Sequence, residues 1–257
     1  MKLDIVIKTK LLGMPYRPSQ RRFNREKVVA LQSAAIVVDQ VLALIPVKSV
    51  IDIGCGPGYW LRTFADRGAQ RIVGLDGDYT DRTRLAIDPS CFIARDLNRP
   101  LSDLGLEKFD LAMSLEVGEH LLPERAESLV DDLCAFSDVV MYGAAIEKQG
   151  GDQHINEQWQ SWWVSKFAAR DYVPYDVLRP AIWNRPEVLS WYKQNTILYV
   201  RRGTNAHDIL TRRFPSPPAT MFDLVHPDIF LSHRSAKTGL RRLQKNATRI
   251  FRQITGR

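Results

Sequence analysis

Apolar runs of strand length alternate along this chain with stretches in which apolar residues recur every three or four positions. This alternation predicts an α/β protein in which helices connect parallel strands. The runs predicted as strands are 49–53, 71–76, 91–97, 109–115, 138–144, 172–178 and 195–201. The principal predicted helices are 27–44, 59–67 and 123–136.

A glycine-rich turn follows the first predicted strand. Asp52 precedes Gly54, Gly56 and Gly58 in the pattern DxGxGxG, and a predicted helix begins directly after it. Glycines allow a tight turn with positive φ and a close approach to a bound molecule, and a helix start offers unpaired N–H groups to it. Because the spacing differs from the GxGxxG of dinucleotide-binding folds, it favours S-adenosylmethionine (SAM) as the ligand.

Acidic residues end the second and third predicted strands. Asp76 lies 22 positions after Gly54, where a carboxylate can accept hydrogen bonds from both ribose hydroxyls. Asp96 can accept a hydrogen bond from an adenine amino group, with Leu97 packing on the ring. Since the carboxyl ends of parallel strands share one edge of a sheet, we expect these residues to line one cofactor cleft.

In these residues and the fourth predicted strand, the chain resembles class I SAM-dependent methyltransferases over about residues 27–203. The matching segments are Asp52-x-Gly54-x-Gly56-x-Gly58, Gly74-Leu75-Asp76, Arg95-Asp96-Leu97 and Phe109-Asp110-Leu111-x-x-Ser114-Leu115-Glu116. The resemblance implies a Rossmann-like sheet of seven mostly parallel strands, with helices on both faces and a reversed last strand. It also implies methyltransferase activity and adds Leu115 to the cofactor contacts.

Polar residues follow the fourth and fifth predicted strands. Glu116, Glu119 and His120 follow the fourth, and His154 lies in the polar segment after the fifth. If a helix begins at Glu116, these first three side chains share one face of it. Because the two strand ends are neighbours in the expected fold, we expect Glu119, His120 and His154 to converge beside the transferable methyl group.

These side chains suit two chemistries, and a structural role is the third hypothesis. A histidine, first His154 and then His120 with Glu119, can act as general base toward a hydroxyl group. Alternatively, Glu116, Glu119, His120 and His154 hold a divalent ion such as Mg²⁺, which acidifies one of two adjacent hydroxyls. In the structural hypothesis the two acids cap the start of a helix.

Two further resemblances concern the acceptor. The Glu-x-x-Glu-His string is similar to that of ubiquinone-pathway O-methyltransferases and of small-RNA ribose 2′-O-methyltransferases, where it implies a metal ion. The pattern from Gly150-Gly151-x-x-His154 to Trp191-Tyr192-x-x-Asn195 resembles methyltransferases encoded with bacterial polysaccharide and glycoside assembly genes. The second resemblance implies O-methylation of a sugar hydroxyl in a glycan, glycoside or nucleotide-sugar precursor. An RNA ribose 2′-O-methyltransferase and a non-catalytic SAM-binding scaffold are the alternatives.

Tryptophan is concentrated in the same part of the chain. Five of the six tryptophans lie between Trp159 and Trp191. Aromatic faces next to Asn, Gln and Arg side chains suit a sugar pocket. The alternative is that these rings pack against the last strands of the sheet.

Positive charge is concentrated at the end of the chain. The net charge is +7, yet eight of the 36 Lys and Arg residues lie in 234–257, which has no acid, so the remainder is nearly neutral. Apolar residues recur there on one helical face, which predicts a basic amphipathic helix. Such a helix suits an anionic membrane surface, an acidic partner, docking on its own domain or a sister subunit, or nucleic acid. The near-neutral remainder disfavours a broad nucleic-acid surface.

The predicted organisation has four parts. Residues 1–26 form a lid or leader, 27–203 the methyltransferase domain, 204–233 an irregular proline-containing linker, and 234–257 the basic helix. We expect no membrane span, since we find no apolar stretch of about 18 residues. We also expect no secretory signal. Three cysteines without metal-binding spacing suit a reducing compartment. We therefore expect a cytoplasmic protein, with the basic helix available for peripheral attachment at the inner membrane surface.

Overall fold

The computed structural model describes residues 20–214 and 222–232. In this part of the chain seven strands form one sheet in the order β3-β2-β1-β4-β5-β7-β6. The strands are β1 Ser49–Ile53, β2 Arg71–Asp76, β3 Phe92–Ala94, β4 Leu111–Leu115, β5 Val139–Gly143, β6 Tyr172–Tyr175 and β7 Ile197–Arg201. Only β7 runs antiparallel to its neighbours. The predicted Rossmann-like fold with a reversed last strand is confirmed.

Helices cover both faces of this sheet because successive side chains of a strand point to opposite sides. Val50 of β1 belongs to one buried hydrophobic cluster and Ile51 to a second. The first cluster includes Val37 and Phe64, and the second includes Leu133. The principal helices of the described residues are α1 Gln20–Leu44, α2 Tyr59–Asp66, α3 Arg125–Phe136, α4 Gln160–Ala168, α5 Leu178–Ile182, α6 Ser190–Asn195 and α7 Asn205–Arg213.

The helix α1 contains the apolar segment predicted as a helix over 27–44. Its segment Lys27–Leu44 has a mean hydropathy of 1.6 over 18 residues, and by length and composition alone it could cross a membrane. The expectation that no stretch of this kind exists is therefore wrong. In this fold Ala34, Val37 and Val41 are fully buried, and α1 packs against α2.

The amino-terminal boundary also differs from the prediction. Because α1 begins at Gln20, the last seven residues of the predicted lid or leader, 20–26, are helical. Residues 1–19 of that segment lie outside the described residues, as does the predicted basic helix at 234–257.

The segment predicted as an irregular linker contains regular structure. The helix α7 occupies Asn205–Arg213, and residues 227–232 form another short helix. The hydroxyl of Thr204 caps α7 by accepting a hydrogen bond from the backbone N–H of His207. The prolines of this segment suggested a linker, whereas the Thr204 cap was the local signal for a helix.

Candidate functional site

The turn after β1 has the backbone that its glycines predict. Gly54, Gly56 and Gly58 have φ of 85°, 51° and 80°. The N–H of Gly54 donates to the carbonyl of Leu75 at 2.7 Å, which fixes the turn to the end of β2. A Cβ atom on Gly54 would lie 2.2 Å from Cγ2 of Val117. Both the positive φ and the lack of space therefore require glycine at this position.

The carboxylate of Asp76, at the end of β2, lies against this turn. Its Oδ2 accepts a hydrogen bond from the N–H of Gly56 at 2.6 Å. Its Oδ1 accepts hydrogen bonds from the N–H of Gly77 at 2.6 Å and from the hydroxyl of Tyr79 at 2.7 Å. Tyr79 therefore occupies one of the positions from which a ribose hydroxyl would donate. The sequence analysis did not identify Tyr79, since nothing in the motif indicates it.

Asp52, near the end of β1, is a buried carboxyl group close to Asp76. It is 2% exposed. Burial raises the pKa of Asp52 well above its usual range, and the negative charge of Asp76 raises it further. Asp52 therefore tends to keep its proton.

The loop after β3 carries the two residues assigned to adenine. The strand ends at Ala94 rather than at Leu97, because Oδ1 of Asp96 accepts a hydrogen bond from the N–H of Asn98 at 3.0 Å and turns the chain. The Asp96 side chain is 59% exposed, whereas Leu97 is buried. Leu115, at the end of β4, is buried as well.

Glu116 follows β4 in a left-handed backbone conformation, with φ of 58°. The helix predicted to begin here is therefore wrong, and Gly118–His120 forms a single 3₁₀ turn instead. Oε1 of Glu116 accepts a hydrogen bond from Nδ2 of Asn195 at 2.8 Å, and Oε2 accepts one from Nε2 of Gln149 at 3.3 Å. Burial raises the pKa of Glu116, and these two amide donors oppose that effect.

Glu119, His120 and His154 come together at this edge of the sheet. One possible ligand atom from each lies within 4.8 Å of the others. Glu119 is fully buried, and within the described residues neither oxygen of its carboxylate makes a hydrogen bond of good geometry. Its carboxyl group interacts directly with that of Glu116. Burial raises the pKa of Glu119 well above its usual range, and the charge of Glu116 raises it further. A buried carboxyl group in this setting needs either a proton or a cation.

The two imidazole rings are held edge to face, with their centroids 4.8 Å apart. Nδ1 of His154 lies 2.9 Å from Oε1 of Glu157, which also accepts the N–H of Gly150 at 2.7 Å. Since the carboxylate can only accept, Nδ1 donates, and in the neutral tautomer that this bond selects the lone pair is on Nε2. Burial lowers the pKa of His120, and the nearby His154 lowers it further. Both rings therefore offer a nitrogen lone pair for a proton or a metal ion.

The amide side chains of Gln149, Gln194 and Asn195 form a network next to Glu116. Nε2 of Gln194 donates to Oε1 of Gln149 at 2.8 Å and to Oδ1 of Asn195 at 3.0 Å. The backbone N–H of His226 donates to Oε1 of Gln194 at 2.8 Å. Asn195 belonged to the pattern that resembles the polysaccharide-cluster enzymes, but Gln149 and Gln194 carried no signal. This network connects Glu116 to chain that lies beyond the last strand.

The tryptophans do not form one pocket. Trp163 is 2% exposed within a hydrophobic cluster. Nζ of Lys166 lies 3.8 Å above the ring of Trp162, and Trp183 packs on His226. These contacts fit the alternative in which the rings pack the last part of the fold.

Comparison with known proteins extends these observations. A family model described as a methyltransferase domain matches residues 29–176. DesVI of Streptomyces venezuelae is 14% identical, with 72% of this chain and 100% of that chain covered and a TM-score of 0.53. CalS10 of Micromonospora echinaspora, a SAM-bound amino pentose methyltransferase, is 17% identical, with 72% and 98% covered and a TM-score of 0.50. A search of curated proteins gave no significant match.

Proposed function

The chain belongs to the methyltransferase-domain family, and from this premise we propose that it transfers the methyl group of SAM to a sugar hydroxyl in a glycan, glycoside or nucleotide-sugar precursor. The sheet and the family match show a SAM-dependent methyltransferase. The acceptor is the proposed part. One observation carries the assignment of a hydroxyl group as acceptor: the buried Glu119 lies beside His120 and His154, one strand away from the glycine turn.

The proposed cofactor contacts come from the first half of the sheet. The turn from Gly54 through Gly56 to Gly58 approaches the cofactor with its backbone, and Asp76 accepts from the ribose. Asp96 and Leu97 contact adenine. The remaining cofactor residues are Asp52 and Leu115.

Transfer to a hydroxyl oxygen requires that its proton leave as the oxygen attacks the methyl carbon. A neutral imidazole is suited to accept that proton near neutral pH. We assign this role first to His154, because Glu157 fixes the tautomer that leaves its Nε2 available. His120 and Glu119 lie next to it. Holding the acceptor in line with the methyl group supplies much of the rate.

The same three side chains fit a divalent cation. Two imidazole nitrogens and one carboxylate form a ligand set that such ions accept, and a cation would neutralise the buried charge of Glu119. Glu116, which the sequence analysis added as a ligand, lies outside the group of converging atoms and is bound by Asn195 and Gln149. When bound, an ion of this kind lowers the pKa of a hydroxyl group that it contacts.

The sugar acceptor is supported by the pattern from Gly150 to Asn195, which resembles methyltransferases of polysaccharide and glycoside assembly. CalS10 is described as an amino pentose methyltransferase, although that likeness extends to the fold alone. The Glu116-to-His120 string is the observation that favours RNA ribose 2′-O-methylation as the second candidate. The nearly neutral charge of residues 1–233 favours the smaller acceptor.

Transfer of labelled methyl groups from SAM tests the proposal. The acceptors are free sugars, methyl glycosides, nucleotide sugars and short RNAs with a free 3′ end. We expect label on a sugar that is not part of RNA. Label only on RNA would replace the proposal with the second candidate, and SAM binding without transfer to any acceptor would indicate a scaffold.

Substitution of the first-choice base tests the site itself. We expect His154→Ala to lower turnover by about a hundredfold or more, which effectively abolishes it. SAM affinity measured by calorimetry should change less than about twofold. His207→Ala in α7 is the matched control and should keep activity. A chelator should inhibit the wild type if the cluster holds a metal ion and should have no effect if His154 acts alone. Wild-type turnover in His154→Ala would refute the site assignment.

The sequence of residues 234–257 supports a further part of the proposal. Its eight basic residues and the apolar residues at helical spacing suit attachment to the anionic cytoplasmic surface of a membrane. Co-sedimentation with vesicles that contain phosphatidylserine, but not with neutral vesicles, is the expected result. Equal sedimentation of a chain that ends at residue 233 would contradict it.

A further inference from the structure

A buried ion pair fixes the loop between β3 and β4. Nε of Arg125 donates to the carbonyl oxygen of Leu97 at 2.9 Å, and the same guanidinium pairs with Asp132. Oδ1 of Asp132 accepts the backbone N–H of Leu101 at 3.0 Å. Both charged residues belong to α3 and are at most 5% exposed. One pair of side chains therefore holds both ends of the segment 97–101.

A second contact ties the same loop to the reaction side of the cleft. Oδ1 of Asn98 accepts a hydrogen bond from the backbone N–H of Leu122 at 3.1 Å, two residues after His120.

Asp96 lies directly before this held segment, and on its other side the N–H of Arg95 donates to the carbonyl oxygen of Asp76 at 2.8 Å. The Asp96 side chain is 59% exposed. Its Oδ2 lies 3.5 Å from Nε of Arg99, whose side chain is 82% exposed, so a ligand can reach the carboxylate by displacing a surface contact. The backbone that carries Asp96 is held on both sides.

Stability alone does not explain an ion pair in this position. Removing two charges from water costs free energy, and well-packed apolar residues often serve a core at least as well. What the guanidinium adds here is geometry, because its planar fork donates in several directions at once. It directs these donors to the Leu97 carbonyl, to Asp132 and to the hydroxyl of Ser128.

We propose that Arg125 is a positioning residue that holds Asp96 and Leu97 in place and thereby sets the selectivity of the cofactor site for adenine. This inference rests on the proposed assignment of Asp96 and Leu97 to adenine. Adenine carries an amino group that donates to a carboxylate, whereas hypoxanthine carries a carbonyl oxygen at the same place, which cannot donate. A site built around that donor rejects the analogue that lacks it.

Binding of two product analogues tests the proposal without any acceptor. Dissociation constants for S-adenosylhomocysteine and S-inosylhomocysteine are measured by calorimetry on the full chain. We expect the wild type to prefer the adenine compound by about tenfold or more, the range for a hydrogen bond to a charged group. In Arg125→Met this ratio should fall toward one, because the loop that carries Asp96 is released.

Arg179→Met is the matched control. Arg179 is fully buried and paired with Asp176, and it donates to the carbonyl oxygens of Gln194 and Phe222. This variant thus loses a guanidinium of the same kind, far along the chain from the 97–101 segment. We expect it to lose stability as Arg125→Met does, yet to keep the wild-type preference for adenine.

Arg125→Lys keeps the charge opposite Asp132 but loses the planar guanidinium, so it should also lose the preference for the adenine compound. It replaces Arg125→Met if that variant fails to fold. In an Asp96→Asn background, Arg125→Lys should change the ratio no further. A wild-type ratio in the Arg125 variants would overturn the proposal. A wild type without any preference would overturn it through the Asp96 assignment, and methyl transfer from SAM by that same protein would leave the proposed function standing.

Discussion

We call the sheet edge where the carboxyl ends of the parallel strands lie the ligand edge. Its two halves are built in different ways. The half that we propose for the cofactor, formed by the ends of β1, β2 and β3, presents backbone at Gly54 and Gly56, one carboxylate at the end of β2 and another just after β3. The acceptor half, formed by the ends of β4 and β5 and the start of β7, is built from side chains. There Glu116 contacts Asn195 from 79 residues away.

This difference shows how a requirement on the backbone and a requirement on side chains appear in a sequence. A backbone that must take positive φ needs glycine at fixed spacing, so the cofactor half is a local pattern. A network of amides and imidazoles can be assembled from any segments that the fold brings together. The acceptor half is consequently variable in principle, while the cofactor half is constrained.

Glu119→Gln tests whether the acceptor half is the reaction centre. Turnover should fall roughly 10²-fold or more, because the buried carboxylate beside the two histidines is lost. SAM affinity should not change. Glu116→Gln is the informative companion: it should reduce thermal stability, since its new NH₂ group must face the donor of either Asn195 or Gln149 and one hydrogen bond is lost. A fully active Glu119→Gln would remove Glu119 from the mechanism.

Gly54→Ala tests the constraint on the cofactor half. Alanine at positive φ costs about 1–2 kcal/mol, and the contact of its Cβ with Val117 adds roughly 1–3 kcal/mol. The loss should appear in urea denaturation. Gly105 has φ of 59°, but a Cβ added there would meet no atom within 4 Å, so Gly105→Ala should cost only the first amount. Equal losses in the two variants would show that space at Gly54 is not limiting.

Asp52→Asn tests the electrostatics beneath the glycine turn. The raised pKa of Asp52 means that the folded protein holds a proton that the unfolded chain releases above about pH 4. Wild-type stability therefore falls as pH rises from there toward the raised pKa. Asn does not titrate. The free energy of unfolding of Asp52→Asn, measured relative to the wild type by urea denaturation, should therefore be larger at about pH 8 than at about pH 5. The same difference at both pH values would show that the pKa of Asp52 is not raised.

Tyr79→Phe makes the smallest expected change. Removing the hydroxyl that donates to Oδ1 of Asp76 leaves that oxygen to the ribose. SAM should bind a few-fold more tightly, which is within the value of one hydrogen bond. Weaker binding would instead mean that the Tyr79 hydroxyl contacts the cofactor directly.

Much of the cofactor half could be predicted from the sequence, and little of the acceptor half. The strands β1 and β2 have the predicted bounds, since a buried apolar run that leads into glycine or acid is a local signal. The end of β3 was misplaced because the turn made by Asp96 interrupts the apolar run. At Glu116 helical spacing suggested a helix, whereas the left-handed residue prevents one. Gln149 could not be identified, since its role exists only after β5 and β7 pair.

The reversed direction of β7 has a consequence for how acceptors can change. All other strands bring their carboxyl ends to the ligand edge, whereas β7 brings its beginning, so the residue just before it, Asn195, reaches Glu116. The family match covers residues 29–176, so Asn195 lies outside the matched residues and Glu116 within them. If this half binds the acceptor as we propose, substitution before β7 can change acceptor preference while the proposed methyl-donor contacts stay the same.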